Sequence, residues 1–444
     1  MKTRGLTILL TIFLWSSTNL VQKAHTFALS PSDDDYPSVV VKRHTHLLTP
    51  GKEDALRRFY DKLHALRCDS TPTAPDEVNI LHIGGSHVQG GVMGNTIRMK
   101  LEPSGDRGLC FPFRAVLTNS PSGYRFDYTG LWKGSRNVAK QPDAELGLSG
   151  IAAITSDKDA TLTLRMRDEG KWDFTQLLVL GQTSDPSVIP YLTTQRGDTL
   201  WADPILSRLA DVDDIWVFQL FRPDSVITLN VKGLIRTVNS KMQRKEYLPL
   251  EDSHFFILRG MIPSSLRHGI TYIEAGVNGA SLESWARCNY HFEQELSLLP
   301  PDLVIFGIGI NDAHVPYNEF NPEVFKERYR QLIMRIRTVN PDCCFIWLTN
   351  NDSAIRHGRG RRRYYTPNQN GARVQKAMKE LAKEYDGGII DVYALMGGLG
   401  SAEKWIKQDL MKADHIHFTK EGYQLIGDII YSAIAEDYAK FYDD

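Results

Sequence analysis

The sequence predicts a parallel α/β sheet into which an antiparallel β-sandwich is inserted. Short apolar runs alternate with helical patterns on both sides of a long interval, and such alternation is typical of a parallel sheet covered on both faces. The interval itself, residues 91–271, is far longer than one crossover helix requires. Within it, apolar and polar residues alternate with a period of two, which favours antiparallel strands.

The first 50 residues have the composition of an export signal followed by a linker. Lys2 and Arg4 precede the apolar run Leu6–Trp15, which suits the hydrophobic part of a secretory signal and is too short for a transmembrane helix. We therefore predict a signal peptide over residues 1–28 and, from the polar stretch SPSDDDYPS, a linker over residues 29–50. Since no later stretch reaches transmembrane length, we expect a periplasmic or secreted protein without stable membrane insertion.

The α/β domain is predicted over residues 51–121 and 266–444. Its strands are expected at the apolar runs Val78–Ile83, Thr271–Val277, Leu303–Ile308, Cys343–Leu348 and Gly388–Val392. Its helices are expected where apolar residues recur every three or four positions, over Glu53–Leu66, Ser284–Leu299, Pro322–Val339, Asn368–Tyr385 and Glu421–Tyr438.

The inserted β-sandwich is predicted over residues 122–265. Its period-two runs, separated by Gly, Pro and Asp, are Thr161–Arg167, Gln176–Leu180, Ile215–Leu220 and Val226–Val231. Carbohydrate binding and a purely structural role both fit such an insert.

Charge and cysteine content exclude some classes of function. A formal net charge of −1 supplies no field to recruit nucleic acid, and we expect no nucleic-acid partner. Five cysteines are an odd number at irregular spacing, which does not resemble a disulfide framework.

Four short motifs follow predicted strands or precede the last helix, where open α/β sheets bind ligands. The first, LHIGGSHVQGG, ends a strand on glycines and Ser86, and either an ordinary loop or a sharp strand-to-helix turn that exposes the serine fits it. The other three are GVNGAS at 276–281, GIND at 309–312 and DHIHFT at 414–419.

Together these motifs contain the groups that acyl transfer needs: a nucleophile, a base, an orienting carboxylate and oxyanion donors. Ser86 offers the hydroxyl and His417 the imidazole. Asp414, three residues before His417 on a turn, is placed to reach its Nδ1. The backbone N–H groups of Ser86 and Gly279 and the amide of Asn311 are the candidate oxyanion donors.

In this order the motifs resemble the four blocks of the SGNH, or GDSL, hydrolases, over about residues 78–121 and 268–440. The resemblance implies a flavodoxin-like three-layer αβα fold with Ser86, Asp414 and His417 as the catalytic triad. It also implies an oxyanion hole formed by Ser86, Gly279 and Asn311. Family members include carbohydrate O-acetylesterases, and those acting on peptidoglycan carry a β-sandwich after the first block, a layout that looks similar to this one.

Position 85 departs from the family pattern, because it is glycine where the family usually has aspartate. That aspartate is outside the triad, so we expect the chemistry to survive. The sequence thus favours an exported serine esterase that removes acyl groups, O-acetyl above all, from a polysaccharide or peptidoglycan. Two alternatives stay open: an O-acetyltransferase with the same triad, and a glycan-binding protein in which GGS marks lost activity.

The predicted chemistry needs no cofactor, and we expect no metal. His415 and His417 have a spacing that permits metal binding, but no convincing third ligand accompanies them. The arginine-rich run RHGRGRRRYY, Arg356–Tyr365, follows a strand end and is expected to overhang the site. A grip on an anionic or sugar-rich polymer and a solvated loop both fit this run.

Overall fold

The computed structural model describes residues 36–68, 71, 74–167, 172–184, 188–232, 238–239, 244–245 and 254–442. The predicted signal peptide and residues 29–35 of the predicted linker lie outside the described residues. The remainder of that linker packs on the α/β domain, where Tyr36, Val40 and Leu47 are buried and Leu48 N–H donates to Ile389 O.

The strands that the sequence predicts occur in the predicted order, together with further short strands and helices that it does not predict. The strands are β1 (Glu77–Gly84), β2 (Tyr124–Thr129), β3 (Lys133–Arg136), β4 (Ile151–Thr155), β5 (Thr161–Met166), β6 (Phe174–Thr183), β7 (Ile189–Thr194), β8 (Thr199–Trp201), β9 (Ile215–Asp224), β10 (Val226–Lys232), β11 (Val238–Asn239), β12 (Arg244–Lys245), β13 (Phe256–Ser264), β14 (Gly269–Gly276), β15 (Leu303–Gly307), β16 (Cys344–Leu348), β17 (Ala354–His357), β18 (Tyr364–Pro367) and β19 (Gly388–Ile390). The α-helices are α1 (Arg57–Cys68), α2 (Ser86–Gln89), α3 (Val92–Arg98), α4 (Pro204–Leu209), α5 (Leu282–Ala286), α6 (Phe292–Leu296), α7 (Ile310–Ala313), α8 (Pro322–Val339), α9 (Asn370–Glu384), α10 (Val392–Met396), α11 (Ala402–Lys407) and α12 (Lys420–Tyr442).

A parallel five-stranded sheet forms the centre of the α/β domain. Its strands lie in the order β14-β1-β15-β16-β19, which is 2-1-3-4-5 along the chain, the flavodoxin-like order. Alternate residues of these strands enter two separate apolar cores: Leu81 faces α8 and α9, whereas Ile80 faces α1, α3 and α12. The predicted three-layer αβα fold is therefore confirmed.

The predicted β-sandwich is also confirmed. Two antiparallel five-stranded sheets, β2-β5-β10-β7-β8 and β3-β4-β13-β6-β9, enclose a core of their own that includes Phe126, Leu162, Phe218 and Leu258. All four period-two runs singled out in the sequence are strands of these sheets.

The second face of the sheet containing β13 packs against the α/β domain, because Ile215, Val217 and Ile257 belong to the same apolar core as α8 and α9. An ion pair crosses this contact: Arg259 Nε lies 2.5 Å from Glu295 Oε1, and both side chains are fully buried. Glu295 Oε2 also accepts a hydrogen bond from Leu148 N–H at 2.8 Å, so both of its oxygens have partners. The insert is thus joined to the body by apolar packing and a buried charge pair.

One predicted helix is wrong. The segment Ser284–Leu299 forms two short helices, α5 and α6, with a turn between them. Arg335 of α8 donates to the carbonyl oxygens of Trp285 and Cys288 at 3.2 and 2.6 Å. These carbonyls are satisfied by a side chain from another helix, so the chain turns instead of continuing. Among the described residues, no helix is both long and apolar enough to cross a membrane.

Candidate active site

Ser86 lies where β1, an interior strand of the parallel sheet, turns sharply into α2. Gly84 has no room for a side chain, since a Cβ there would lie 2.4 Å from Val88 Cγ2 and 2.6 Å from Gly307 O. Gly85 caps α2, and Ser86 is the first residue of that helix. The strand-to-helix turn is therefore confirmed, and the alternative of an ordinary loop is wrong.

Ser86, His417 and Asp414 form one hydrogen-bonded chain. Ser86 Oγ lies 2.8 Å from His417 Nε2, and His417 Nδ1 lies 2.9 Å from Asp414 Oδ2. The other carboxylate oxygen, Asp414 Oδ1, accepts the backbone N–H groups of Ile416 and His417, each at 2.9 Å. The carboxylate is therefore held on two sides and orients the imidazole toward the serine.

The same contacts keep Asp414 ionised. Partial burial by itself raises its pKa, but the hydrogen bonds from the His417 ring and from the two backbone N–H groups together hold the pKa of Asp414 well below its ordinary value. A negative charge thus stays beside His417 at any pH near neutrality.

One of the predicted oxyanion donors, the Asn311 amide, lies beside residue 85. Asn311 Nδ2 donates to Ala280 O at 2.8 Å and lies 3.4 Å from the position that a Cβ on Gly85 would take. Within the described residues, the N–H groups of Ser86 and Gly279 donate to no protein acceptor. Gly279 has φ +83°, a conformation that favours glycine. Each of these three groups therefore has capacity to donate to a further acceptor.

Two connections that the sequence motifs did not predict hold these loops in place. Gln89 of α2 accepts the N–H of Asn278 at 2.7 Å through Oε1, which fixes the residue before Gly279. Asp312 accepts the N–H of Leu282 at 3.3 and 3.2 Å through its two oxygens, which joins the third motif to the second. Burial raises the pKa of Asp312 to about 6. Gln89 carries no sequence signal, whereas Asp312 belongs to the motif GIND.

A small, mostly apolar cavity of about 40 Å³ lies beside His87, the residue that follows Ser86. It is lined by His87, Phe418 and Tyr423 together with residues at the ends of β15 and β16. The His87 ring lies 5.4 Å from the His417 ring, and Tyr423 OH lies 2.9 Å from His87 Nδ1. Residues of α2 and α12 therefore pack around the back of His417.

His415, the neighbour of the base, is engaged elsewhere. Its Nε2 lies 2.7 Å from Glu403 Oε1, and its ring stacks on that of Tyr365 at 4.0 Å. In the part of the chain that the structure describes, no group of three His, Cys, Asp or Glu side chains is placed to hold a metal ion.

A protein-family model matches part of the chain. The GDSL-like Lipase/Acylhydrolase family model matches residues 258–425, a span that contains Gly279, Asn311, Asp414 and His417 but not Ser86. Among curated proteins, none matches the chain significantly.

Solved structures match the chain to different extents. A peptidoglycan O-acetylesterase structure is 18% identical, with 89% of this chain and 99% of that chain covered and a TM-score of 0.68. An acetyl xylan esterase is 16% identical over 37% of this chain and 81% of its own, with a TM-score of 0.29. An acetylxylan esterase from Geobacillus stearothermophilus is 17% identical over 38% of this chain and 73% of its own, with a TM-score of 0.27.

The flavodoxin-like sheet and the family match define an ester hydrolase of the acylhydrolase class. Residues 258–425 thus match the GDSL-like lipase/acylhydrolase family, and a β-sandwich is inserted into the α/β domain that contains this segment.

Proposed function

We propose that this protein is exported and removes O-acetyl groups from a polysaccharide or peptidoglycan by a Ser-His-Asp mechanism. The observation that carries the proposal is the continuous hydrogen-bonded chain from Ser86 through His417 to Asp414 at the carboxyl edge of the parallel sheet.

In the first half of the reaction, Ser86 Oγ attacks the acetyl carbonyl carbon while its proton passes to His417 Nε2. The carbonyl oxygen becomes an oxyanion and accepts hydrogen bonds from the N–H groups of Ser86 and Gly279 and from the Asn311 amide. The bond between the carbonyl carbon and the sugar oxygen then breaks. His417 gives its proton to that oxygen, and the acetyl group stays on Ser86.

In the second half, water attacks the acetyl-serine and His417 accepts a proton from it. The same oxyanion donors stabilise the second tetrahedral intermediate. When this intermediate collapses, acetate leaves and the proton returns to Ser86 Oγ, which restores the free enzyme.

Glycine at position 85 is compatible with this mechanism. The carboxylate that holds His417 belongs to Asp414, so the base does not depend on an acid at position 85. The Asn311 amide beside Gly85 is held instead by the carbonyl of Ala280. This arrangement favours an active enzyme over a binding protein with a decayed site.

Two further observations support the choice of substrate and location. The peptidoglycan O-acetylesterase structure matches almost the whole chain, insert included, with a TM-score of 0.68, although at 18% identity that match concerns the fold alone. The N-terminal residues have the composition of a secretory signal. Sequencing the N-terminus of the protein from fractionated cells tests export, since an intact Met1 in the cytoplasm would contradict it.

The direct test is acetate release from a small acetyl ester, acetylated xylan and O-acetylated peptidoglycan. Ser86→Ala is expected to lose several orders of magnitude in kcat, because triad members act as a unit. Ser297→Ala, an exposed serine after α6, is the matched control and should keep full activity. Substantial turnover by Ser86→Ala, or a wild type that releases no acetate from any ester, would sink the proposal. Transfer of acetyl to an added sugar in place of acetate release would favour the acetyltransferase.

A further inference from the structure

We propose that the arginine-rich β-hairpin formed by β17 and β18 is a binding element for carboxylate groups of the acetylated polymer, and that it sets a preference for anionic glycans. This inference rests on the proposed esterase function of the neighbouring site. The hairpin takes no part in the bond-breaking steps.

The end of the hairpin where β17 starts contacts the loop that carries Asp414 and His417. Ala354 N–H, at the start of β17, donates to His415 O at 3.1 Å. The Tyr365 ring stacks on the His415 ring at 4.0 Å. Just before the hairpin, Asn351 Nδ2 donates to Ile416 O at 3.0 Å. The hairpin is therefore in direct contact with the loop that carries His417, the proposed catalytic base.

Cross-strand contacts hold the hairpin in one register. Four residue pairs align, from Ala354 opposite Pro367 to His357 opposite Tyr364. The rings of His357 and Tyr364 stack at 4.9 Å, and His357 Nε2 lies 2.8 Å from Thr366 Oγ1. Paired aromatic and polar side chains of this kind stabilise a two-stranded ribbon. The turn is thus presented at a defined place beside the site.

The hairpin carries an unbalanced positive charge. Arg356, Arg359, Arg362 and Arg363 are exposed, and none of them forms an ion pair with a described carboxylate. The sequence contains no acidic residue between Asp352 and Glu380. Elsewhere on the surface, arginines such as Arg330 are paired, in that case with Glu384 at 2.7 Å. Neighbouring like charges repel, so a cluster without carboxylates favours an external anion.

The chemistry of the cluster points to carboxylates on a glycan. A guanidinium binds a carboxylate through two parallel hydrogen bonds. The Tyr364 ring, 58% exposed beside these arginines, adds an amphipathic surface of the kind that packs on a ligand. The carboxylate can belong to a uronic acid in the sugar chain or to a peptide attached to the sugar chain. In both cases the polymer carries anions near the ester.

The test compares the wild type with Arg359→Gln/Arg362→Gln/Arg363→Gln on four acetyl esters: a small ester, neutral acetylated xylan, acetylated polygalacturonate and O-acetylated peptidoglycan. Because each exposed ion pair contributes modestly, we expect kcat/KM to fall about tenfold on polygalacturonate, on peptidoglycan, or on both. Activity on the small ester and on xylan should stay unchanged. The polymer that responds identifies the source of the carboxylate.

The control variant is Lys158→Gln/Arg167→Gln/Lys383→Gln, which removes the same charge from exposed positions away from the hairpin. The control variant should keep the preference for the anionic polymer. That result would show that the preference depends on the charge of the hairpin and not on the net charge of the protein. Raising the salt to about 0.5 M should shrink the difference between wild type and hairpin variant, because exposed charges are screened.

The inference is overturned if the hairpin variant matches the wild type on both anionic polymers, or loses as much on xylan as on them. Either result with full small-ester activity leaves the esterase proposal standing. A wild type that hydrolyses no ester removes the esterase proposal instead, and binding of the Ser86→Ala variant to de-acetylated polygalacturonate and peptidoglycan then still tests the hairpin. If replacing Arg359, Arg362 and Arg363 in the Ser86→Ala variant left its affinity for these polymers unchanged, that result alone would contradict the inference.

Discussion

Replacing Asp414 with asparagine tests whether His417 must present a free nitrogen to Ser86. Asp414 Oδ1 accepts two backbone N–H groups at 2.9 Å, so the oxygen of an asparagine amide must take that position. The NH₂ group then occupies the place of Oδ2, 2.9 Å from His417 Nδ1. Since NH₂ is only a donor, Nδ1 must become an acceptor and the ring proton moves to Nε2. Ser86 Oγ then faces an N–H that cannot accept its proton.

The expected loss in kcat is about 10³- to 10⁴-fold, which corresponds to about 4 to 5.4 kcal/mol of transition-state stabilisation. The lower end allows for solvent, because the Asp414 side chain is 45% exposed and water can reach the pair. Asp414→Ala imposes no tautomer and leaves Nδ1 to water. We therefore expect asparagine to be no better than alanine, although it keeps both backbone hydrogen bonds.

The assay is kcat for a small acetyl ester across the neutral and alkaline pH range, with Asp409→Asn, at an exposed position five residues earlier, as the matched control. The loss in Asp414→Asn should persist at every pH, because it comes from the tautomer and not from a titration. An Asp414→Asn enzyme that keeps more than about a tenth of wild-type kcat would refute the assigned role of the carboxylate.

Four other perturbations give separate tests. Asn311→Ala removes one oxyanion donor, so kcat should fall about 10²- to 10³-fold with KM little changed, and a change confined to KM would contradict the assignment. Gly85→Asp should leave kcat within roughly tenfold, because a Cβ there would lie 3.4 Å from Ala280 O and Asn311 Nδ2, an ordinary contact distance, and Asp414 already orients the base. A far larger loss would mean that the turn tolerates only glycine. Burial lowers the pKa of His82 to about 3, so below about pH 6.5 the unfolded chain binds a proton that the folded chain does not. The free energy of unfolding therefore declines from that pH toward pH 3, by up to about 1.4 kcal/mol per pH unit. Denaturant titrations of His82→Asn should show a shallower decline. Arg259→Met leaves the buried Glu295 carboxylate unpaired and should lower the free energy of unfolding by about 3–5 kcal/mol. Adding Glu295→Gln removes the unpaired charge and should recover much of that loss in thermal melts. No recovery would contradict the buried pair.

Much of the local structure was predictable because its causes lie within a few residues. Period-two and period-3.6 apolar patterns identified the strands and the long helices, and α8 has the predicted bounds Pro322–Val339. The spacing of three between Asp414 and His417 was also sufficient, since a single turn lets the carboxylate accept the His417 N–H and reach its ring. The glycines before Ser86 indicated a tight turn, and the structure leaves no room for a side chain at Gly84.

The tertiary structure decided everything that depends on distant partners. Ser86 and His417 are 331 residues apart, and only the strand order 2-1-3-4-5 brings the end of β1 next to the loop before α12. The break between α5 and α6 is stabilised by Arg335 of α8, which donates to the carbonyls of Trp285 in α5 and Cys288 in the turn. Likewise the second face of the insert is apolar in sequence, but which surface covers it follows from packing against the α/β domain and the pair Arg259–Glu295. Periodicity records which residues avoid water, whereas the partners they meet are chosen by the packing of the whole chain.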